Sequence, residues 1–144
     1  MVMKIAIGAD HGGFQMKEML KEFVCSLGHE VDDTGCFSMD SVDYPGYAKT
    51  VSEKVQNRLC ASGILICGTG IGMSLVANRF SAVRAALCHD EYTARLSREH
   101  NDANILCLGA RVIGYGVAQG IVKTWLETDF AGGRHQKRID QFSD

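Results

Sequence analysis

The stretch ILICGTGIG, residues 64–72, decides the fold of this chain. An apolar run is followed by a glycine-rich loop, and the apolar residues in 73–80 then recur at helical spacing. The stretch therefore predicts a β-strand, a loop and the N-terminus of a helix. Such a loop exposes backbone N–H groups at the positive end of a helix dipole, which suits an anion.

Cys67 stands where the predicted strand meets this loop. Most cysteines in such proteins are small buried hydrophobes. A thiol at a helix N-terminus is instead a candidate for a reactive thiolate, so we predict a functional role for Cys67. Cys36 is expected in a loop with no assigned role. The remaining cysteines fall within apolar patterns and are predicted to be core residues, namely Cys25, Cys60, Cys88 and Cys107.

Strand and helix patterns alternate along the chain. Four of the five predicted strands are almost wholly apolar, which is typical of parallel strands covered on both faces. The pattern predicts an α/β fold, a three-layer α/β/α sandwich with a five-stranded parallel, Rossmann-like sheet. One domain is expected for residues 1–144, with a basic C-terminal arm at 130–144. Strands are predicted at 4–8, around Val31, and at 63–67, 85–88 and 104–108, and helices at 16–27, 47–59, 73–80, 91–99 (with Asp90 as its cap) and 117–125.

Charge and composition narrow the class of function. A formal net charge of −2 argues against a general nucleic-acid binder. The basic run at 134–138 on a mildly acidic protein fits a small phosphorylated ligand better than a polymer. The N-terminus lacks a signal-peptide pattern, and no apolar run approaches transmembrane length. The six cysteines show no CxxC pair, so we expect reduced thiols in a cytoplasmic protein that binds no membrane.

The glycine loop has rival interpretations. A dinucleotide fingerprint needs G-x-G-x-x-G, but Met73 stands where the third glycine belongs, and the loop follows the third strand rather than the first. A P-loop is excluded because no Gly-Lys-Ser/Thr is present. A cradle for a small anion remains.

Polar residues are expected beyond the carboxyl ends of the strands, where ligands bind in such folds. Asp10 could cap the first helix, whereas His11 could contact a phosphate or pass a proton. Cys88-His89-Asp90 and Gly109-Ala110-Arg111 follow two other strands.

Other candidates have simple structural interpretations. His100 ends the fourth helix, where a cation needs no catalytic role. Arg134 and Arg138 share a helical face able to hold a phosphate, or belong to a solvated tail. A metal site formed by Asp10, His11, Cys67 and His100 lacks recognisable ligand spacing, so no metal is predicted.

Six short motifs occur together and in order. They are ADHGG at 9–13, DYP at 43–45, ICGTGIG at 66–72, SREHNDAN at 97–104, LGAR at 108–111 and GGRH at 132–135. Over nearly its whole length the chain resembles the ribose-5-phosphate isomerase B family, which also holds allose-6-phosphate and galactose-6-phosphate isomerases. Each motif alone is weak, but six in register are highly specific.

The resemblance implies interconversion of D-ribose 5-phosphate and D-ribulose 5-phosphate through a cis-enediolate, without metal or organic cofactor. It implies that Cys67 is the base and that His100 opens the sugar ring. Some relatives use a glutamate further along the loop, but position 75 is Leu75, so the cysteine version applies. The glycine loop alone suggests a phosphate site, whereas the resemblance places the reacting oxygens there.

The resemblance also implies the binding residues. Asp10 and Asn101 would bind sugar hydroxyls, and Thr69 would orient Cys67 or bond a hydroxyl. The loop N–H groups of Gly68, Gly70, Ile71 and Gly72 would hold the enediolate charge. The phosphate would be bound by His11, Arg111, Arg134 and Arg138, with Tyr44 and His135 also at the substrate.

Family members work as homodimers or dimers of dimers with shared active sites, and the same is expected here. One alternative is the same reaction on allose or galactose 6-phosphate. A second class is a non-catalytic sensor of a sugar phosphate or nucleotide on the same fold.

Overall fold

The computed structural model describes residues 1–143. The strands are β1 (Lys4–Ala9), β2 (Glu30–Gly35), β3 (Ser62–Cys67), β4 (Ala85–Leu87) and β5 (Ile105–Gly109). The helices are α1 (Phe14–Ser26), α2 (Tyr44–Gln56), α3 (Ile71–Ala77), α4 (Glu91–Glu99), α5 (Tyr115–Glu127) and α6 (Arg134–Asp140).

The five strands form one parallel sheet in the order β2-β1-β3-β5-β4. Helices α1, α4 and α5 cover one face, and α2 and α3 cover the other, each with its own apolar core. The predicted three-layer α/β/α sandwich is confirmed. Strand β2 carries Asp32 and Asp33 because it lies at the sheet edge, where Lys54 and Lys17 pair with these carboxylates.

The central strand β3 sorts its side chains between the two cores. Ile64 and Ile66 face the core under α1, α4 and α5, whereas Leu65 and Cys67 face the core under α2 and α3. This alternation follows from the two-residue period of a strand. It aims the Cys67 side chain at the start of α3.

Several expectations from the sequence need correction. Cys25 is exposed rather than part of the core, because α1 turns Leu20 and Val24 inward and leaves the next residue outside. Cys60, Cys88 and Cys107 are buried as predicted. Helix α3 begins at Ile71, two residues earlier than predicted, directly after the loop. The predicted cap of α4 is confirmed, since the Asp90 carboxylate accepts the Thr93 N–H at 2.7 Å.

In a parallel sheet, all strands begin at one edge and end at the opposite edge. Ala9 is level with Ile66, and Cys67 is level with Gly109, so β1, β3 and β5 end at one edge, called here the carboxyl edge. Each helix between strands returns the chain to the opposite edge, called the amino edge. There the Gly63 N–H donates to the Asn104 carbonyl at 3.0 Å.

Candidate active site

The glycine loop fixes the sulfur of Cys67 at the N-terminus of α3. The Gly70 backbone N–H donates to Cys67 Sγ at 3.1 Å. Gly70 has φ +77°, and a Cβ there would lie 2.6 Å from Leu87 Cδ1 and 2.9 Å from the Leu108 backbone. Only glycine therefore fits this position without strain. Cys67 is 5% exposed and is the last residue of β3, where the strand meets the loop.

The rest of the loop presents polar groups outward. Thr69 is exposed, and its hydroxyl accepts the Ile71 N–H at 3.3 Å. Its hydroxyl is thus engaged with the loop backbone and not with Cys67. Within residues 1–143, the N–H groups of Gly68 and Gly72 donate to no protein acceptor. These two groups are therefore available to a negatively charged oxygen.

Asp10 and His11 follow β1 at the same edge. The Asp10 carboxylate accepts the Gly13 N–H at 3.2 Å, and Gly13, not Asp10, is the N-cap of α1. His11 Nδ1 accepts the Val42 N–H at 3.1 Å. A neutral imidazole that accepts at Nδ1 carries its proton on Nε2, so His11 presents an Nε2–H donor.

Tyr44 and Arg111 complete the same group. A Cβ on Gly72 would lie 2.5–2.8 Å from carbons of the Tyr44 ring, so the ring packs flush against the loop. A Cβ on Gly68 would lie 3.5 Å from Arg111 Cδ and 3.6 Å from its Nη1, which places the guanidinium alongside Gly68. The carboxyl-edge cluster consists of Asp10, His11, Tyr44, residues 67–72 and Arg111.

A second cluster lies at the amino edge. His100 is the C-cap of α4, and its ring stacks on His135 with 4.2 Å between centroids and 15° between planes. The exposed Arg134 and Arg138 lie one turn apart on α6, as their spacing predicted. With the exposed Asn101, these residues form the amino-edge cluster.

The two clusters do not meet within one chain. Along β3, Gly63 marks the amino edge and Cys67 the carboxyl edge. Four residues of strand separate the edges by about 13 Å. The structure thus brings Asp10, His11, Tyr44, Thr69 and Arg111 to Cys67. It places the other candidate residues at the far edge, namely His100, Asn101, Arg134, His135 and Arg138.

Two cavities lie apart from the carboxyl-edge cluster. Two cavities of about 1280 and 330 Å³ both open at the amino edge, and the smaller one includes Asn101. The larger one is lined by the N-terminal residues and by strand starts such as Lys4 and Ser62, and it includes no member of either cluster.

Burial shifts the pKa of three cysteine thiols and of one histidine. Burial raises the pKa of the Cys60, Cys88 and Cys107 thiols, which suits inert core residues. Burial also lowers the pKa of His135, and the nearby His100, Arg134 and Arg138 lower it further, with Glu99 opposing them. His135 therefore favours its neutral form.

No group of three or more His, Cys, Asp or Glu side chains within residues 1–143 is placed to hold a metal ion. In the same residues, no helix has both the length and the apolar character needed to span a membrane.

Three features of the site were not predicted from the sequence. They are the hydrogen bond from Val42 to His11, the stack of His100 on His135, and the position of the latter pair at the amino edge. Only the last had a signal in the sequence, because a helix that follows a parallel strand must end at the strands' amino edge.

Residues 5–142 match the model of a family described as Ribose/Galactose Isomerase. The chain belongs to this family. A putative sugar phosphate isomerase of Bacillus subtilis is 53% identical over 99% of this chain and 96% of its own length. Ribose-5-phosphate isomerase B of Escherichia coli is 46% identical over 95% of this chain and 92% of its own length.

Solved structures of the ribose/galactose isomerase family share the fold. Ribose-5-phosphate isomerase B of Clostridium thermocellum superposes with a TM-score of 0.95 at 50% identity, covering 96% of this chain and 94% of its own. At this identity, the similarity shows the family as well as the fold.

Proposed function

We propose that this chain is an aldose–ketose isomerase that interconverts D-ribose 5-phosphate and D-ribulose 5-phosphate, with Cys67 as the base. The observation that carries the proposal is the sulfur of Cys67 beside the Gly70 N–H, at the start of a loop with free N–H donors. A base and an oxyanion site are the two groups that proton transfer beside a carbonyl requires.

The chemistry follows from this arrangement. The Cys67 thiolate takes the proton from C2 of the open-chain aldose, and the electron pair of that bond forms the C1–C2 double bond. The carbonyl π pair moves to O1, whose negative charge is stabilised by the N–H groups of Gly68 and Gly72. The hydroxyl proton of O2 passes to O1, and the thiol returns its proton to C1 as the C2 oxygen becomes the carbonyl of ribulose 5-phosphate. No electrons leave the substrate, so this sequence needs no redox cofactor.

Ring opening needs a group that the carboxyl edge of one chain does not supply. Ribose 5-phosphate is mostly a furanose, and only its open chain has the carbonyl. We assign His100 to this step: it protonates the ring oxygen as the C1–O4 bond breaks, and the C1 hydroxyl loses its proton to water. Because His100 lies at the amino edge, a second copy must present it.

We therefore propose a homodimer with shared active sites. The carboxyl-edge cluster of one subunit would face the amino-edge cluster of the other, and a two-fold axis would create two equivalent sites. Asp10 and Thr69 of one chain and Asn101 of the partner subunit would bind sugar hydroxyls.

The phosphate would be bound from both sides. The Nε2–H of His11 and the Arg111 guanidinium come from one chain, and the partner subunit's Arg134 and Arg138 come from α6. Phosphate binding by several arginines is geometrically specific and strong. The base must stay a reduced thiol, so we place the enzyme in the reducing cytoplasm.

A subunit-mixing experiment tests the shared site. We expect Cys67→Ala and His100→Asn chains to be inactive alone on ribose 5-phosphate. When they are unfolded together and refolded as a 1:1 mixture, half of the dimers are mixed, and each mixed dimer has one intact site. Activity should therefore return to about a quarter of wild type. Continued inactivity of the mixture would contradict the shared site.

Substrate choice is tested separately. Isomerisation of ribose, allose and galactose phosphates should be compared with EDTA present. We expect turnover of the pentose phosphate to exceed that of both hexoses. Tight binding of ribose 5-phosphate with no turnover would instead favour the sensor function.

A further inference from the structure

The imidazole of His135 is buried on an otherwise exposed stretch of α6. On α6 the side chains of Arg134, Gln136, Lys137 and Arg138 are exposed, whereas His135 is only 7% exposed. It lies flat against His100, with ring centroids 4.2 Å apart and planes 15° apart. Residues on either side of His135 point to solvent, so this contact is selective.

The backbone holds His135 in this place from two sides. The Ala131 N–H donates to the Glu99 carbonyl at 3.0 Å, which ties the segment before α6 to the end of α4. Gly132 and Gly133 have φ +66° and +57°, and the His135 N–H returns to the Gly132 carbonyl at 3.1 Å. One turn later, Ile139 is buried on the same side of α6.

His100 has little else to fix its ring. It is a half-buried C-cap residue, and within residues 1–143 its imidazole makes no hydrogen bond. The stack covers one face of the ring, and neither ring nitrogen has a hydrogen-bond partner in the described part of the chain. A flat contact of this kind opposes rotation of the ring about its χ2 bond.

We propose that His135 is a positioning residue that acts through His100, by holding the His100 imidazole in the orientation that opening of the sugar ring needs. This inference rests on the proposed function. An acid that opens a furanose must aim one nitrogen at the ring oxygen within hydrogen-bond reach. Misplacement of a catalytic group by about 1 Å can cost about a hundredfold in rate.

Charge in this region is compatible with the role. The groups facing His135 are Glu99 and His100 at the end of α4 and Arg134 and Arg138 on α6. Burial, His100 and the two arginines lower the pKa of His135, so it stays neutral near pH 7. A neutral ring face can lie against an imidazolium without adding like charge.

Two reactions separate positioning from structural roles. Turnover of ribose 5-phosphate needs ring opening. Ribulose 5-phosphate cannot close a furanose, because its C5 oxygen carries the phosphate. Exchange of its C1 hydrogen with D2O therefore needs Cys67 but no ring opening, and NMR measures it directly.

The variants are His135→Ala, which removes the stacked ring, and His135→Phe, which keeps a flat ring. Gln136→Ala, on the exposed side of the same helix, is the control. We expect His135→Ala to lower kcat on ribose 5-phosphate by about tenfold to a hundredfold with KM nearly unchanged. The C1 exchange should stay at the wild-type rate, and His135→Phe should regain most of kcat.

Equal losses in both reactions, a change in KM alone, an equal loss in Gln136→Ala, or no loss at all would each overturn the proposal. The stack has a readout that is independent of activity. The ring-proton resonances of His100 should move downfield in His135→Ala and much less in His135→Phe. Unchanged resonances in His135→Ala would overturn this inference alone, whereas absence of both reactions in the wild-type chain would contradict the proposed function.

Discussion

The Gly70 N–H and the Cys67 sulfur are 3.1 Å apart, three residues from each other in the chain. Gly70 also adopts φ +77°, which lets the chain turn from this contact directly into α3. The positive end of the N–H dipole thus points at the atom proposed as the base. Two substitutions test this relationship from opposite sides.

Replacing Cys67 by Ala should abolish both ribose 5-phosphate turnover and the C1 exchange of ribulose 5-phosphate, because no base remains. The fold should persist, since the change removes a single buried sulfur at the end of a strand. Circular dichroism and both assays check this. Cys107→Ala, which removes a fully buried thiol from the adjoining strand β5, should keep both activities. Near-normal turnover in Cys67→Ala would show that the base is another group.

Replacing Gly70 by Ala should lower both activity and stability. A Cβ would lie 2.6 Å from Leu87 Cδ1, and alanine at positive φ costs about 1–2 kcal/mol. Thermal unfolding and kcat measure the two effects. Gly116→Ala in α5 is the control, because a Cβ there meets nothing within 4 Å. It should stabilise the helix by about 0.5–1 kcal/mol without changing kcat. A Gly70→Ala protein as active as wild type would show that the loop geometry at this position is not needed for activity.

Replacing His100 by Asn should lower the rate of ribose 5-phosphate turnover far more than the rate of C1 exchange in ribulose 5-phosphate, because the ketose has no ring to open. The same NMR sample reports both reactions in opposite directions. A parallel loss in the two reactions would assign His100 a role in proton transfer or binding rather than in ring opening.

The lowered pKa of His135 predicts a contribution to acid sensitivity. Its native pKa lies below the ordinary value of about 6.5, so the unfolded chain binds more protons as the pH falls through that range. Stability should therefore drop on acidification from about pH 6.5 to the native pKa. Urea unfolding of His135→Phe at several pH values should show a smaller drop. The NMR titration of His135 should also move upward in His100→Asn, because one of the groups that lowers its pKa is gone.

Replacing Arg134 by Ala should raise KM and weaken inhibition by inorganic phosphate. A charge-assisted contact is worth roughly 1.5–3 kcal/mol, which corresponds to a change of about ten- to a hundredfold. Lys137→Ala removes an exposed cation from the same helix and should leave KM unchanged. Equal effects in the two variants would mean that α6 attracts the substrate by its overall charge.

The sequence predicted the fold because its signals are local. The apolar run at 64–66, the glycines after it and the Asp90 cap each depend on neighbours a few residues away. The same holds for Asp10, His11 and Arg111, which follow strands and so gather at one edge. Cys25 was predicted to be a core residue but is exposed, because its neighbour Val24 continues the inward face of α1.

What the sequence left out depends on distant contacts. The Lys17 side chain on α1 is fully buried because Asp33, on β2, forms an ion pair with its ammonium group. His135 stacks on His100, which lies 35 positions earlier in the sequence, and no local sequence pattern predicts such a contact. The placement of His100 differs from these cases, because the return of α4 to the amino edge follows from parallel topology alone.

If the active sites are shared as proposed, the separation of the two clusters also governs how a newly made chain becomes active. On the shared-site proposal, a lone subunit has two incomplete halves about 13 Å apart along β3 and no whole centre. Catalytic output would then rise with the square of protein concentration in dilute solution, and only linearly once pairing saturates. Dissociation would switch the enzyme off by separating the two halves of every site.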